Sequence, residues 1–81
     1  MVFNVWNKQE AHMKAEDFSS GEPVIYIPRH VHGNRHHQDC EHGIVSSQNG
    51  FNVFVRYYRN SKLQHSAQAT SPDDLVRPNE E

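Results

Sequence analysis

The sequence has one cysteine, Cys40, so no disulfide can form within the chain, and the cysteine frameworks of small secreted domains are excluded. Apolar residues are scarce as well: they make up 35% of the 81 residues, against about 45% in an ordinary globular domain. No apolar run approaches the ~20 residues that cross a bilayer as a helix. There is no Cys-x-x-Cys pair of the usual structural-zinc kind and no phosphate-cradling glycine loop. Residues 1–18 lack the basic start and apolar stretch of a signal peptide. These absences point to one small soluble domain in the cytoplasm, with no membrane partner. So short a chain buries only about 60% of its unfolded surface, so a deep catalytic cleft is not expected.

What is present is concentrated. From Pro28 to Gly43 the chain reads Pro-Arg-His-Val-His-Gly-Asn-Arg-His-His-Gln-Asp-Cys-Glu-His-Gly, which holds five of the seven histidines, the cysteine and two carboxylates. Charge is uneven too. Residues 28–65 carry Arg29, Arg35, Arg56, Arg59 and Lys62 against Asp39 and Glu41, a net +3, while the segments on either side are acidic. A mildly basic middle suits an anionic partner without requiring one.

Strand signals begin after Ser19. Ser-Ser-Gly-Glu-Pro is a turn that leads into Val24-Ile25-Tyr26-Ile27, a β-branched and aromatic run stopped by Pro28. After the histidine segment, residues 43–48 resume strand character. Asn49-Gly50 then predicts a tight type I′ hairpin into a strand over 51–58. In that strand Val53, Val55 and Tyr57 fall on one face and Phe54, Arg56 and Tyr58 on the other, the pattern of a half-buried strand. Residues 64–70 alternate weakly, with Leu63, His65, Ala67 and Ala69 on one side, and read as a further strand. Ser71-Pro72-Asp73-Asp74 has the cap, the preset φ and the acidic first turn of a helix start, with room for one 3-10 turn before a short last strand over 75–77. The expected fold is all-β: a small SH3-like barrel of about five short antiparallel strands with one 3-10 turn before the last. An OB-fold is the alternative. The expected divisions are an N-terminal extension over 1–18, the barrel over 19–77 and a disordered tail over 78–81.

Residues 1–12 continue no strand or helix period. Gln9-Glu10-Ala11 can be encoded with AGGAGG, a bacterial ribosome-binding sequence, just before the codon of Met13, which makes Met13 the expected natural start. Two alternatives stay open: Ala-His-Met as a cloning-site remnant, and a genuine arm whose Phe3, Val5 and Trp6 pack on the barrel.

The succession Gly-x-x-Val-x-Tyr-x-Pro, His-x-His-Gly, His-x-Asp-Cys-Glu-x-Gly-x-Val-Ser-Ser, Val-Phe-Val-Arg-Tyr and Thr-Ser-Pro-Asp-Asp-Leu-Val resembles a family of small uncharacterised proteins of bacteriophages and prophages. The likeness spans roughly Gly21 to Val76. The sequence departs from the family pattern at Asn34, often Asp there, and at Gln38, often Pro. The resemblance implies phage origin and an SH3-like fold rather than an activity, and it too favours a start at Met13.

Three chemistries compete for the histidine segment. As a zinc site, His37 and Cys40 at a workable spacing would be completed from His30 and His32, with His36 and His42 as further candidates; zinc would then stabilise a small adaptor domain. As a structural loop, His30, His37, Asp39, Cys40 and Glu41 would be anchors: carboxylates accept from loop amides and imidazoles, and Cys40 packs as a small apolar residue. As a catalytic site, Cys40 would be the nucleophile. Neighbours on one short loop seldom reach that geometry, so the chain is expected not to be an enzyme and to need no cofactor, with zinc as the alternative. The leading functional expectation is a binding module acting on a phage or host macromolecule. For nucleic acid the candidate contacts are Arg35, Phe54, Arg56, Tyr58, Arg59 and Lys62; a host protein is the other partner, and the chain would act as a monomer or homodimer.

Overall fold

Val24-Ile25-Tyr26, set off by turn chemistry on one side and Pro28 on the other, forms β1 (Pro23–Tyr26) in the computed structural model, which describes residues 13–79. Expectations for residues 1–12, including the internal start and the packing of Phe3, Val5 and Trp6, lie outside the described residues, as does the end of the tail. β1 runs antiparallel to β2 (Glu41–Gln48), with Tyr26 opposite Glu41 and Val24 opposite Gly43. β2 turns into β3 (Val53–Arg59), whose far edge is shared by β4 (Lys62–Leu63) and β5 (Gln68–Thr70). A 3-10 turn, Pro72–Asp74, precedes β6 (Leu75–Val76), which returns to pair with β1. The strand order is β4-β3-β2-β1-β6, with β5 beside β3.

The protein is all-β, as its composition of short β-branched runs predicts, and no helix among the described residues is long and apolar enough to cross a membrane. The expected closed barrel is replaced by an open sheet: β6 ends one side, β4 and β5 the other, and no pairing joins them among the described residues. The strand expected over 64–70 is also broken. Residues 64–67 leave the ladder: Gln64, His65, Ser66 and Ala67 are all exposed and give the segment no apolar face to bury. Gln64 alone keeps a link, its N–H donating to the Tyr57 carbonyl at 2.9 Å.

The hairpin sits where Asn49-Gly50 places it, but it is not a type I′ turn. Such a turn needs positive φ at both central residues, and of the two only Gly50 has it, at 90°. Asn49 acts through its side chain instead: Oδ1 accepts from the N–H groups of Phe51 at 2.9 Å and Asn52 at 2.8 Å. The loop thus lengthens to Asn49–Asn52, with Gln48 opposite Val53 as the last pair. Between Val45 opposite Val55 and Ser47 opposite Phe54, Ser46 is an extra residue, a bulge that resets which side chains of β2 face inward.

The core collects the inward positions: Val24, Val45, Val53, Val55, Tyr57 and Leu75, all buried. Gly43 lies between Val24 and Tyr57 in the sheet, where a side chain does not fit; an added Cβ would stand 2.5 Å from Val55 Cγ1 and 2.8 Å from the Arg56 carbonyl oxygen. Ala15 and Phe18 join the same core, with Met13 packed against it. Ahead of Ser19, a 3-10 turn over Ala15–Asp17 delivers these two apolar side chains into the sheet. Arg77 fastens that segment. Its Nη2 donates to the Asp17 carbonyl at 2.6 Å, its Nε donates to Glu22 Oε1 at 2.7 Å, and its guanidinium carbon sits 5.1 Å from the centre of the Phe18 ring.

Candidate functional site

The loop joining β1 to β2 is a string of single-turn bonds. Val31 N–H donates to Pro28 O, His32 to Arg29, Asn34 to Val31, His37 to Asn34 and Cys40 to His37, each at 3.0 or 3.1 Å. His32 makes this path available by adopting a left-handed conformation, φ 51°, directly before Gly33 at φ 80°. Side chains complete the lattice. Asn34 Oδ1 accepts from the His36 N–H at 3.1 Å, and the Asn34 carbonyl accepts from the Cys40 thiol at 3.3 Å. Asp39 Oδ2 accepts from His30 Nε2 at 2.7 Å, while the Asp39 N–H donates to His37 Nδ1 at 3.0 Å. The rings of His30 and His37 meet edge to face, centroids 6.0 Å apart.

Of the expected anchors, His30, His37, Asp39 and Cys40 thus belong to one network, whereas Glu41 turns to Arg59. The zinc set fares differently. His37 Nδ1 and the Cys40 thiol are both engaged with the backbone, and His32 is exposed at the end of its turn. Among the described residues no three His, Cys, Asp or Glu side chains are gathered so as to hold a metal ion. The Cys40 thiol is directed at the Asn34 carbonyl, and no hydrogen bond joins it to a histidine side chain among the described residues.

The candidate nucleic-acid contacts do not form one surface. Phe54, Arg56 and Tyr58 project from the sheet face opposite the core, and Tyr58 is 43% exposed. Arg59 has the parity of Val53, Val55 and Tyr57, and Lys62 is its register partner, so these two cations fall on the core side. The arginines are also engaged within the chain. Arg56 Nε donates to the Gln64 carbonyl at 2.8 Å, Arg59 Nη2 to Glu41 Oε1 at 3.2 Å, and Arg35 Nη1 to the Arg77 carbonyl at 3.4 Å.

A cleft of about 270 Å³ opens where the core face runs out, lined by Tyr26, Glu41, Tyr57, Arg59, Gln68, Ala69, Thr70, Ser71 and Asp74. Register builds it. Tyr26 sits between Glu41 on β2 and Leu75 on β6, and the residue before Leu75 is Asp74. The Ser71-Pro72 start holds Asp74 in place: Ser71 Oγ accepts from the Asp73 N–H at 3.3 Å, and the Asp74 carbonyl accepts from the Ile27 N–H at 2.8 Å. Asp74 Oδ1 takes Arg29 Nε at 3.1 Å. The Tyr26 and Tyr57 rings meet edge to face at 6.2 Å, and the Tyr57 hydroxyl shares a hydrogen bond with Thr70 Oγ1 at 2.8 Å. Burial pushes the Tyr57 phenol up to about 12; the charges of Glu41 and Asp74 act in the same direction, and the Thr70 hydrogen bond opposes them.

No family model, curated protein or solved structure matches this chain. Reading of the sequence did not single out Tyr26, Tyr57 or Asp74 as site residues. One signal was available: Tyr26 and Tyr57 have inward parity toward the ends of their strands, where a hydroxyl-tipped side chain needs a polar partner beside the core.

Proposed function

We propose that the chain is a small non-enzymatic binding module of phage or prophage origin that docks on a protein in the host cytoplasm. Its fold, in this reading, is an SH3-like arrangement of strands left open instead of closed. The observation that carries the protein reading is the division of the basic residues between two faces of the sheet, with Arg35, Arg56 and Arg59 each donating to an acceptor of their own chain. A nucleic-acid surface needs cations aligned along one path and free to release counterions. The net charge of -2 supports the same choice. Protein docking needs neither, and a cleft bordered by tyrosines and carboxylates suits it.

Electrophoretic mobility shift with duplex DNA, single-stranded DNA and RNA tests this reading at low and at moderate salt. No retention is expected at moderate salt. Retention of any of the three there would overturn the protein reading.

A further inference from the structure

We propose that the cleft beside Tyr26 and Tyr57 receives one cationic side chain, lysine or arginine, from an extended peptide segment of the partner; this deepens the protein-docking function proposed above and rests on it. Charge points to a cation. Two carboxylates, Glu41 and Asp74, line the cleft against one cation, Arg59. Each carboxylate is only half engaged: Glu41 gives Oε1 to Arg59 and Asp74 gives Oδ1 to Arg29, and the second oxygen of each has no partner among the described residues. Burial is the main reason that the Tyr57 phenol resists ionisation, and the charges of Glu41 and Asp74 add to it; that added part is a negative field, which favours an ammonium or guanidinium at the cleft mouth.

The lining selects a side chain over a bare ion. Half-buried Tyr26, backed by the buried Tyr57 ring at 6.2 Å, offers aromatic surface that attracts a cation and covers an aliphatic stem at once. A divalent metal would need three oxygen or nitrogen ligands, and no such group is gathered among the described residues. An anion would have to take Arg59 from Glu41 beside a second carboxylate. The Arg59–Glu41 pair, with half of the Arg59 side chain and over a third of that of Glu41 exposed, is a weak contact that an incoming cation can share without breaking.

The border of the cleft selects a peptide over a free amine. β5 lines it with Gln68, Ala69 and Thr70 and pairs on one edge only, with β3. Its other edge has no strand partner among the described residues, so main chain flanking the inserted side chain meets backbone donors and acceptors there.

The test is a titration of the full ¹⁵N-labelled chain with capped tripeptides acetyl-Gly-X-Gly-amide, where X is lysine, arginine, norleucine or glutamate. Lysine and arginine tripeptides should produce saturable shifts at the amides of Tyr26, Glu41, Gln68 and Ser71, and the norleucine and glutamate tripeptides should not. Glu41→Gln, checked for an unchanged melting temperature, should weaken the lysine tripeptide roughly fivefold. Equal binding of norleucine would make the cleft an apolar pocket, and preferential binding of glutamate would make Arg59 an anion site; either overturns the proposal. So does the absence of saturable shifts up to about 10 mM peptide. A flat titration removes the cleft and leaves protein docking standing, whereas nucleic-acid retention in the mobility shift removes protein docking and leaves the titration to be judged by itself.

Discussion

Arg77 and Glu22, 55 residues apart in sequence, meet as a two-point ion pair, with Nε 2.7 Å from Oε1 and Nη2 3.4 Å from Oε2. Both side chains are mostly buried, at 24% and 20% exposure, so neither has water enough to replace the other. Arg77→Ala should therefore cost about 2 kcal/mol, because it leaves the carboxylate only the Ser19 N–H among the described residues and removes the donor to the Asp17 carbonyl as well. Arg77→Lys should recover little of that, since an ammonium cannot span both oxygens and the carbonyl. Urea denaturation of the three proteins measures it; a lysine variant as stable as the parent would contradict the two-point geometry.

The same pair sets an acid limit. Burial by itself would push Glu22 up, but the Arg77 guanidinium and the Ser19 N–H outweigh it and hold the carboxyl below its ordinary 4.5. A carboxyl lowered on folding contributes stability above its ordinary value and loses it as pH falls through the lowered one. Stability should drop as the pH is taken below 4.5, and Glu22→Gln should flatten this limb while lowering stability at neutral pH. Thermal melts across the acid range of both proteins show whether the limb changes slope.

Gly43 predicts a packing effect of a different kind. A methyl group there meets Val55 and the Arg56 carbonyl inside contact distance, and the carbonyl belongs to a paired strand that cannot step aside. Gly43→Ala should destabilise by about 2 kcal/mol through overpacking. Circular dichroism melts should show a lower midpoint with an unchanged spectrum; an unchanged midpoint would mean the sheet parts there more easily than its register implies.

For the histidine loop the prediction is that hydrogen bonds, and not metal, hold it. A chelator should leave the melting temperature of untagged protein unchanged. Asp39→Asn should cost about 1 kcal/mol, because the bond accepted from His30 Nε2 then ends on a neutral amide oxygen instead of a carboxylate. Cys40→Ser should cost less, since the hydroxyl can still donate to the Asn34 carbonyl. Zinc at one equivalent, lost on Cys40→Ser, would reverse this conclusion.

How far the sequence could be read depended on whether the signal was local. β3 was legible because its alternation is written in seven consecutive residues, and Val53, Val55 and Tyr57 are buried on one face as expected. The Ser71-Pro72 turn was legible for the same reason. The bulge at Ser46 was not, because nothing in Val-Ser-Ser-Gln distinguishes an extra residue from a paired one until the opposite strand is in place. Asn49 misled because a side-chain carbonyl and a left-handed backbone are alternative uses of the same residue. Arg77 fell at the end of the expected last strand, and its partners Asp17, Phe18 and Glu22 lie too far back in sequence for any pattern to link them. In the candidate site, the histidine network follows from neighbours along one loop, whereas the cleft draws on four separate strands and a turn, and only pairing register assembles those.

The Arg77 clasp has one more consequence. Arg77 Nη1 approaches Met13 Sδ at 3.9 Å while its other nitrogens hold Asp17 and Glu22, so the first and last described segments of the domain enter and leave at the same spot. Residues 13–79 thus have the geometry of a cassette. It can be spliced into a surface loop of a carrier polypeptide without prying the carrier apart, or joined end to end and reopened at the exposed Asn49–Asn52 tip, provided the arginine travels with it.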